Sequence, residues 1–82
     1  MHTVKMLEAV KPMPLLQRSL GKQVRVLLKD GIAYEGVLME CDNFMNVVLE
    51  NVTEYDGNGR RAGYGRVLIR GNNIVYVVIN HL

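Results

Sequence analysis

The chain has 82 residues, 49% of them hydrophobic and 22% charged, with a formal net charge of +2. A domain this small hides only about 60% of the surface that its unfolded chain exposes, so the apolar content points to cover from other copies or from a partner. The composition excludes disorder, and the longest apolar run, the six residues Ile74 to Ile79, is far short of the roughly 20 that span a membrane. Met1 to Pro14 is interrupted by Lys5, Glu8 and Lys11 and holds no unbroken signal-like core. The one cysteine, Cys41, cannot form an internal disulfide, which makes a reducing, cytoplasmic setting the expectation.

Charge is segregated along the chain: residues 1–29 carry +5, residues 30–56 carry −7 with no Lys or Arg, and residues 57–82 carry +4 from Arg60, Arg61, Arg66 and Arg70. Such a chain can present opposite signs on different faces, one of which could hold phosphate.

In chain order, residues 1–11 form an N-terminal extension, expected to be flexible, and a single domain occupies residues 12–82. Pro12 and Pro14 open a short helix over residues 12–20, with Gly21 as its left-handed cap. Leu16 and Leu20, four apart, would share its buried face. From Gly21 the period becomes two. Val24, Val26 and Leu28 alternate with Arg25 and Lys29 in a first strand, and Asp30-Gly31 is a hairpin turn. Ile32 to Cys41 is a second strand, where Gly36 implies a sharp bend, and Val47 to Glu54 is a third. Residues 56–63 read as a variable, flexible loop, followed by a short strand from Arg66 to Ile69, a tight turn over Arg70-Gly71-Asn72-Asn73, and a last strand from Ile74 to Ile79. The fold class is all-β: a short N-terminal helix followed by a strongly bent, five-stranded antiparallel small barrel. The last strand has no polar alternation, so both of its faces need cover. A neighbouring subunit adding an edge strand head to tail would supply it, and such a contact closes into a ring if the rotation permits.

Catalysis has little to rest on. Histidine occurs only at His2 and His81, serine only at Ser19, and neither a Gly-rich phosphate loop nor metal-ligand spacing is present. The expectation is a non-enzyme with no cofactor and no metal, and with Cys41 as a small buried residue at a strand end. Two turns carry more. Asp42-Asn43-Phe44-Met45-Asn46 brings together a carboxylate, a ring and an amide, and Arg70-Gly71-Asn72-Asn73 adds a guanidinium. A ring and a guanidinium plane can sandwich a nucleobase, and an amide can read its edge with one donor and one acceptor. Asx-rich turns also commonly cap their own backbone, so either turn alone is uninformative.

Taken in order on this framework, the two turns resemble the motifs of the Sm/LSm family, most closely its archaeal members. The first motif is matched over residues 21–52, with Asp30-Gly31, Gly36 and Asp42-x-Phe44-Met45-Asn46. The second is matched over residues 64–79, with Ile69-Arg70-Gly71-Asn72-Asn73-Ile74. The bacterial Hfq branch is less similar, since the Lys-His pair of its second motif is missing. The resemblance implies an Sm-like, SH3-type barrel assembled as a homoheptameric ring, in which the fourth strand of one subunit pairs with the fifth of the next. It also implies binding of single-stranded, U-rich RNA at the inner rim, in a chaperone or scaffold role in RNA processing or turnover. Phe44 and Arg70 would sandwich the base, Asn46 would read it, Asp42 would orient Asn46, and a backbone N–H of Gly71 or Asn72 would meet the remaining carbonyl. Two positions depart from common family usage: Asn72 stands where Asp is frequent, and Phe44 where His is frequent. The Arg60-Arg61 segment would guide RNA or simply be solvated. The alternatives are a ring that organises protein partners with incidental RNA binding, and a monomeric OB-like nucleic-acid module.

Overall fold

The computed structural model describes residues 2–5 and 13–79, with side chains from residue 15 onward. The elements in chain order are β1 (His2–Lys5), α1 (Met13–Arg18), β2 (Gln23–Leu28), β3 (Ala33–Cys41), β4 (Val47–Asp56), β5 (Gly59–Ile69), a 3-10 turn (Gly71–Asn73) and β6 (Ile74–Ile79). All the strand pairings are antiparallel, in one sheet of order β1-β6-β2-β3-β4-β5.

The five strands anticipated from the alternation pattern are therefore present, and a sixth joins them. β1 falls in the segment expected to be a flexible extension. It is ordered as a strand because the outer edge of β6 offers a row of unpaired N–H and C=O groups, and it pairs along it from His2↔Ile79 to Lys5↔Tyr76. Pro12, placed by the sequence at the helix start, and residues 80–82 lie outside the described residues.

The helix is shorter than residues 12–20 and ends at Arg18. The chain then folds back through Gly21, at φ +83°, and hydrogen bonds run from Gly21 N–H to the Leu38 carbonyl and from Leu38 N–H to the Lys22 carbonyl. This places Leu16 fully in the core, while Leu20 remains 46% exposed; the anticipated shared face is lost because the helical period stops before Leu20. Ser19 is buried, and its hydroxyl donates to the Leu15 carbonyl at 2.8 Å.

Leu16 is joined in the core by Val24 and Val26 of β2, Leu38 of β3, Val47, Leu49 and Val52 of β4, Ile69 of β5, and Ile74, Val77 and Ile79 of β6. Burying each such side chain contributes about 1.5–3 kcal/mol. The sheet closes on this core by bending where the sequence placed a glycine. A Cβ on Gly36 would sit 2.8 Å from the Glu50 carbonyl oxygen, so only glycine permits β3 and β4 to approach there. The register between β3 and β4 shifts across Glu35/Val37, and Asn51 opposite takes a left-handed φ of +53°. Inward residues of β4 accordingly change from Val47 and Leu49 to Val52 and Glu54. A second shift, at Leu27/Leu28 against β6, explains why Ile74 and Val77, three apart, both point inward.

Residues 56–63 are not a loop. β4 and β5 run on to an Asp56↔Gly59 pair, and only Gly57-Asn58 turns the chain, fixed by a 2.7 Å bond from Asn58 N–H to Asp56 Oδ1. Antiparallel pairing also disposes of much of the charge segregation, since acidic strands lie beside basic ones. Arg25 pairs with Glu35, Arg61 with Glu54 at 2.8 Å, and Arg66 with Glu50 at 2.9 Å. Glu54 is itself buried and also accepts from the Tyr64 hydroxyl at 3.4 Å. Burial and this neighbouring carboxylate push the Tyr34 hydroxyl up to about 12.

Candidate nucleic-acid interface

The turn after β3 is organised by one carboxylate. Asp42 Oδ1 accepts from the Phe44 N–H at 2.9 Å and from the Asn46 N–H at 3.0 Å, while Oδ2 accepts from Asn46 Nδ2 at 3.0 Å. Backbone bonds from Asp42 N–H to the Asn46 carbonyl and from Met45 N–H to the Asp42 carbonyl close the turn, with Met45 held at φ +66°. The Asn46 side-chain bond, followed by those from the backbone, outweighs burial and holds the Asp42 carboxyl below the usual carboxylate range. The group is therefore an acceptor only, and an acceptor can hold only the NH₂ end of the Asn46 amide.

The turn before β6 holds the other end. Asn46 Oδ1 accepts from the backbone N–H of Gly71 at 2.9 Å, across 25 residues of sequence. The amide of Asn46 is thus fixed twice, its nitrogen by an acceptor and its oxygen by a donor, so a flipped amide would lose both bonds. The two turns also touch directly. A Cβ on Gly71 would lie 2.1 Å from the Phe44 carbonyl oxygen and 2.7 Å from the Met45 carbonyl carbon. Backbone packs on backbone at this point, and no side chain fits between. The 3-10 turn is closed by Asn73 N–H to the Arg70 carbonyl and by Ile74 N–H to the Gly71 carbonyl. The turn is closed by backbone bonds, with no part for a charge at Asn72.

All six residues anticipated from the sequence lie in these two turns. Phe44, Asn46, Arg70 and Asn72 line one cleft, with Asp42 and Gly71 behind Asn46. Phe44 is 81% exposed, a large ring held in solvent by a turn whose polar groups bond to each other. Two features were not anticipated. The Gly71 N–H, considered as a contact to a base, is committed to Asn46. The left-handed Met45, which lets the turn fold back onto Gly71, carries no signal in its residue type. Arg61 is paired with Glu54 on the β4–β5 hairpin, away from the two turns in sequence. Cys41, next to Asp42, is half-buried, and burial and then the Asp42 charge push its thiol up, which disfavours the reactive thiolate.

A bent antiparallel sheet with a short N-terminal helix, and two interlocked turns of this composition, define a class of small-barrel proteins. The chain belongs to the Sm/LSm family: residues 14–79 match the LSM domain. It is 37% identical over 70 residues to the U6 snRNA-associated Sm-like protein LSm6 of Chaetomium globosum, covering 85% of each chain. Among solved structures it is similar to the Sm protein of Pyrococcus abyssii in complex with a uridine heptamer, with a TM-score of 0.81, 33% identity and coverage of 85% of this chain and 99% of that one. It is also similar to a heptameric archaeal Sm protein, with a TM-score of 0.76, 31% identity and coverage of 83% and 98%. Fungal and archaeal relatives thus match over nearly the same length.

Proposed function

We propose that this chain is the repeating subunit of a homoheptameric ring that binds single-stranded, U-rich RNA without transforming it, as a chaperone or scaffold in RNA processing or turnover. The observation that carries the reading is the doubly fixed amide of Asn46 beside the exposed ring of Phe44. Uracil presents a donor at N3 next to an acceptor at O4, and cytosine reverses both. Asn46 Oδ1, with one lone pair taken by Gly71 N–H, keeps a second for N3–H. Its Nδ2, with one hydrogen on Asp42, keeps a second for O4. Phe44 and Arg70 close on the two faces of the base, and stacking of this kind contributes about 1–3 kcal/mol per base. With Gly71 N–H committed, the N–H of Asn72 is the one assigned to the remaining carbonyl.

The ring is supported by the heptameric archaeal relative and by the chain's own sheet, whose last strand is apolar and whose β5 edge pairs with no other described strand. One site per subunit, repeated around a rim, converts weak single-base contacts into avidity. The test is binding of oligo-U, oligo-C and oligo-A at a fixed salt concentration, since phosphate contacts make affinity salt-dependent. Oligo-U is expected to bind at least tenfold more tightly than the other two, and to be recovered at its original length. Equal binding of all three, or none, would remove the base-reading role and leave a ring that organises protein partners.

A further inference from the structure

The ring reading needs two complementary sheet edges on each subunit, and among the described residues of the single chain only one of them is open. β5 ends the sheet on one side, with Tyr64 and Leu68 45% and 67% exposed. On the other side β6, the most apolar strand, is covered along its outer edge by β1. We propose that β1 is a built-in occupant of the β6 edge, a strand that shields it in the free subunit and that β5 of a second copy must expel when the ring closes. This rests on the ring reading above and adds a control over assembly to it.

The register shows why the cover is displaceable. β1 pairs with Tyr76 to Ile79, whereas β6 begins at Ile74. Among the described residues, Ile74 and Val75 have no partner on that edge, which gives an incoming strand a start from which to pair and advance toward Ile79. β5, with 11 residues against the four of β1, is long enough to occupy the whole edge and brings exposed apolar side chains with it. A strand on the same chain competes at an effective concentration on the order of millimolar for a short tether. Dilute subunits therefore remain covered, and assembly acquires a concentration threshold. Shielding also answers a hazard, because an apolar edge left open on a newly made chain invites indiscriminate strand pairing.

The experiment compares the full chain with the double variant Thr3→Pro/Val4→Pro by sedimentation equilibrium over a dilution series. Successive residues of a strand direct their N–H groups to opposite sides. Two adjacent prolines therefore remove one β1–β6 bond whichever residue supplies it. The expected result is that both chains form the ring and that the variant does so at a several-fold lower concentration. If dilution dissociates neither ring, the rate of assembly after transfer from denaturant is read instead, and the variant should be several-fold faster. Equal midpoints or equal rates overturn the proposal while leaving the ring in place. A variant that assembles less readily overturns it differently, by making β1 part of the seam. If neither chain assembles at any concentration, the ring reading fails, and the proposal with it.

Discussion

The rim turns and the sheet edges solve opposite problems. At the rim, the Asp42, Asn46 and Gly71 groups that hold the two turns together find partners within the same chain: Asp42 holds Asn46, Asn46 holds Gly71, and the turns meet backbone to backbone. At the edges, among the described residues, β5 leaves its outer side open and β6 is covered over only part of its length. On the proposed function, the contrast teaches that the base site is complete in one subunit, whereas the assembly that would multiply it is not. A substitution at the rim should damage the site with little effect on the ring, and a substitution at an edge should do the reverse.

The largest effect is expected from Gly71→Ala. Its Cβ would overlap the Phe44 carbonyl, a backbone atom that cannot swing aside, so the turns must part. Overpacking of this kind costs about 1–3 kcal/mol, and oligo-U affinity should fall beyond the range of the assay. Denaturant unfolding and a binding titration read the two consequences, and an unchanged affinity would show that the interlock does not build the site. Leu68→Lys is the counterpart at the edge. The side chain is 67% exposed in the free subunit, so unfolding should change by no more than about 0.5 kcal/mol, while the ring should dissociate on sedimentation. A ring of undiminished stability would take β5 out of the seam.

Asp42→Ala sharpens the comparison within the rim. It removes the acceptor that holds the Asn46 nitrogen while leaving the Gly71 donor on the oxygen. The amide then becomes freer to turn, and the preference for oligo-U over oligo-C should fall more than the affinity for oligo-U. Parallel losses on the two oligomers would contradict this. The smallest effect concerns pH. The Asp42 pKa is lowered in the folded chain, so the order it gives is fully present above the ordinary Asp value of about 3.9 and is lost only as pH falls through the lower, folded value. Phe44 does not titrate. Affinity for oligo-U should therefore be flat between about pH 5 and 8, and Phe44→His should introduce a dependence in that range. A wild-type affinity that changes tenfold there would point to a titrating group at the site that this account lacks.

Much of this was legible in the sequence because the residue types are demanded locally. Gly36 marks a bend that no side chain permits. Asp42 and Asn46 are the acceptor and the amide that an oriented amide needs, Gly71 is the residue that lets the two turns meet backbone to backbone, and their order along the chain carries the family resemblance. Three features were not legible for a common reason, which is that they depend on what each segment pairs with rather than on its own residue types. His2–Lys5 has no apolar run of its own and becomes a strand through the β6 edge. Arg60-Arg61-Ala62-Gly63 has weak strand propensity and is drawn into β5 by continued pairing with β4, as tertiary context commonly overrides β propensity. The Asp56-Gly57-Asn58-Gly59 turn was the available clue, since a two-residue connection containing Asn or Gly is a hairpin signal. The Asn46–Gly71 bond leaves no periodic trace at all.

The most direct test joins both halves of the comparison in one measurement: native mass of the full chain and of Asn46→Ala, each with oligo-U. Seven chains of 9.3 kDa give a ring of about 65 kDa. That ring is expected in both samples, with RNA bound to the unsubstituted chain and lost from Asn46→Ala. An Asn46→Ala ring that keeps its RNA, or an unsubstituted chain that binds RNA as a monomer, would contradict it.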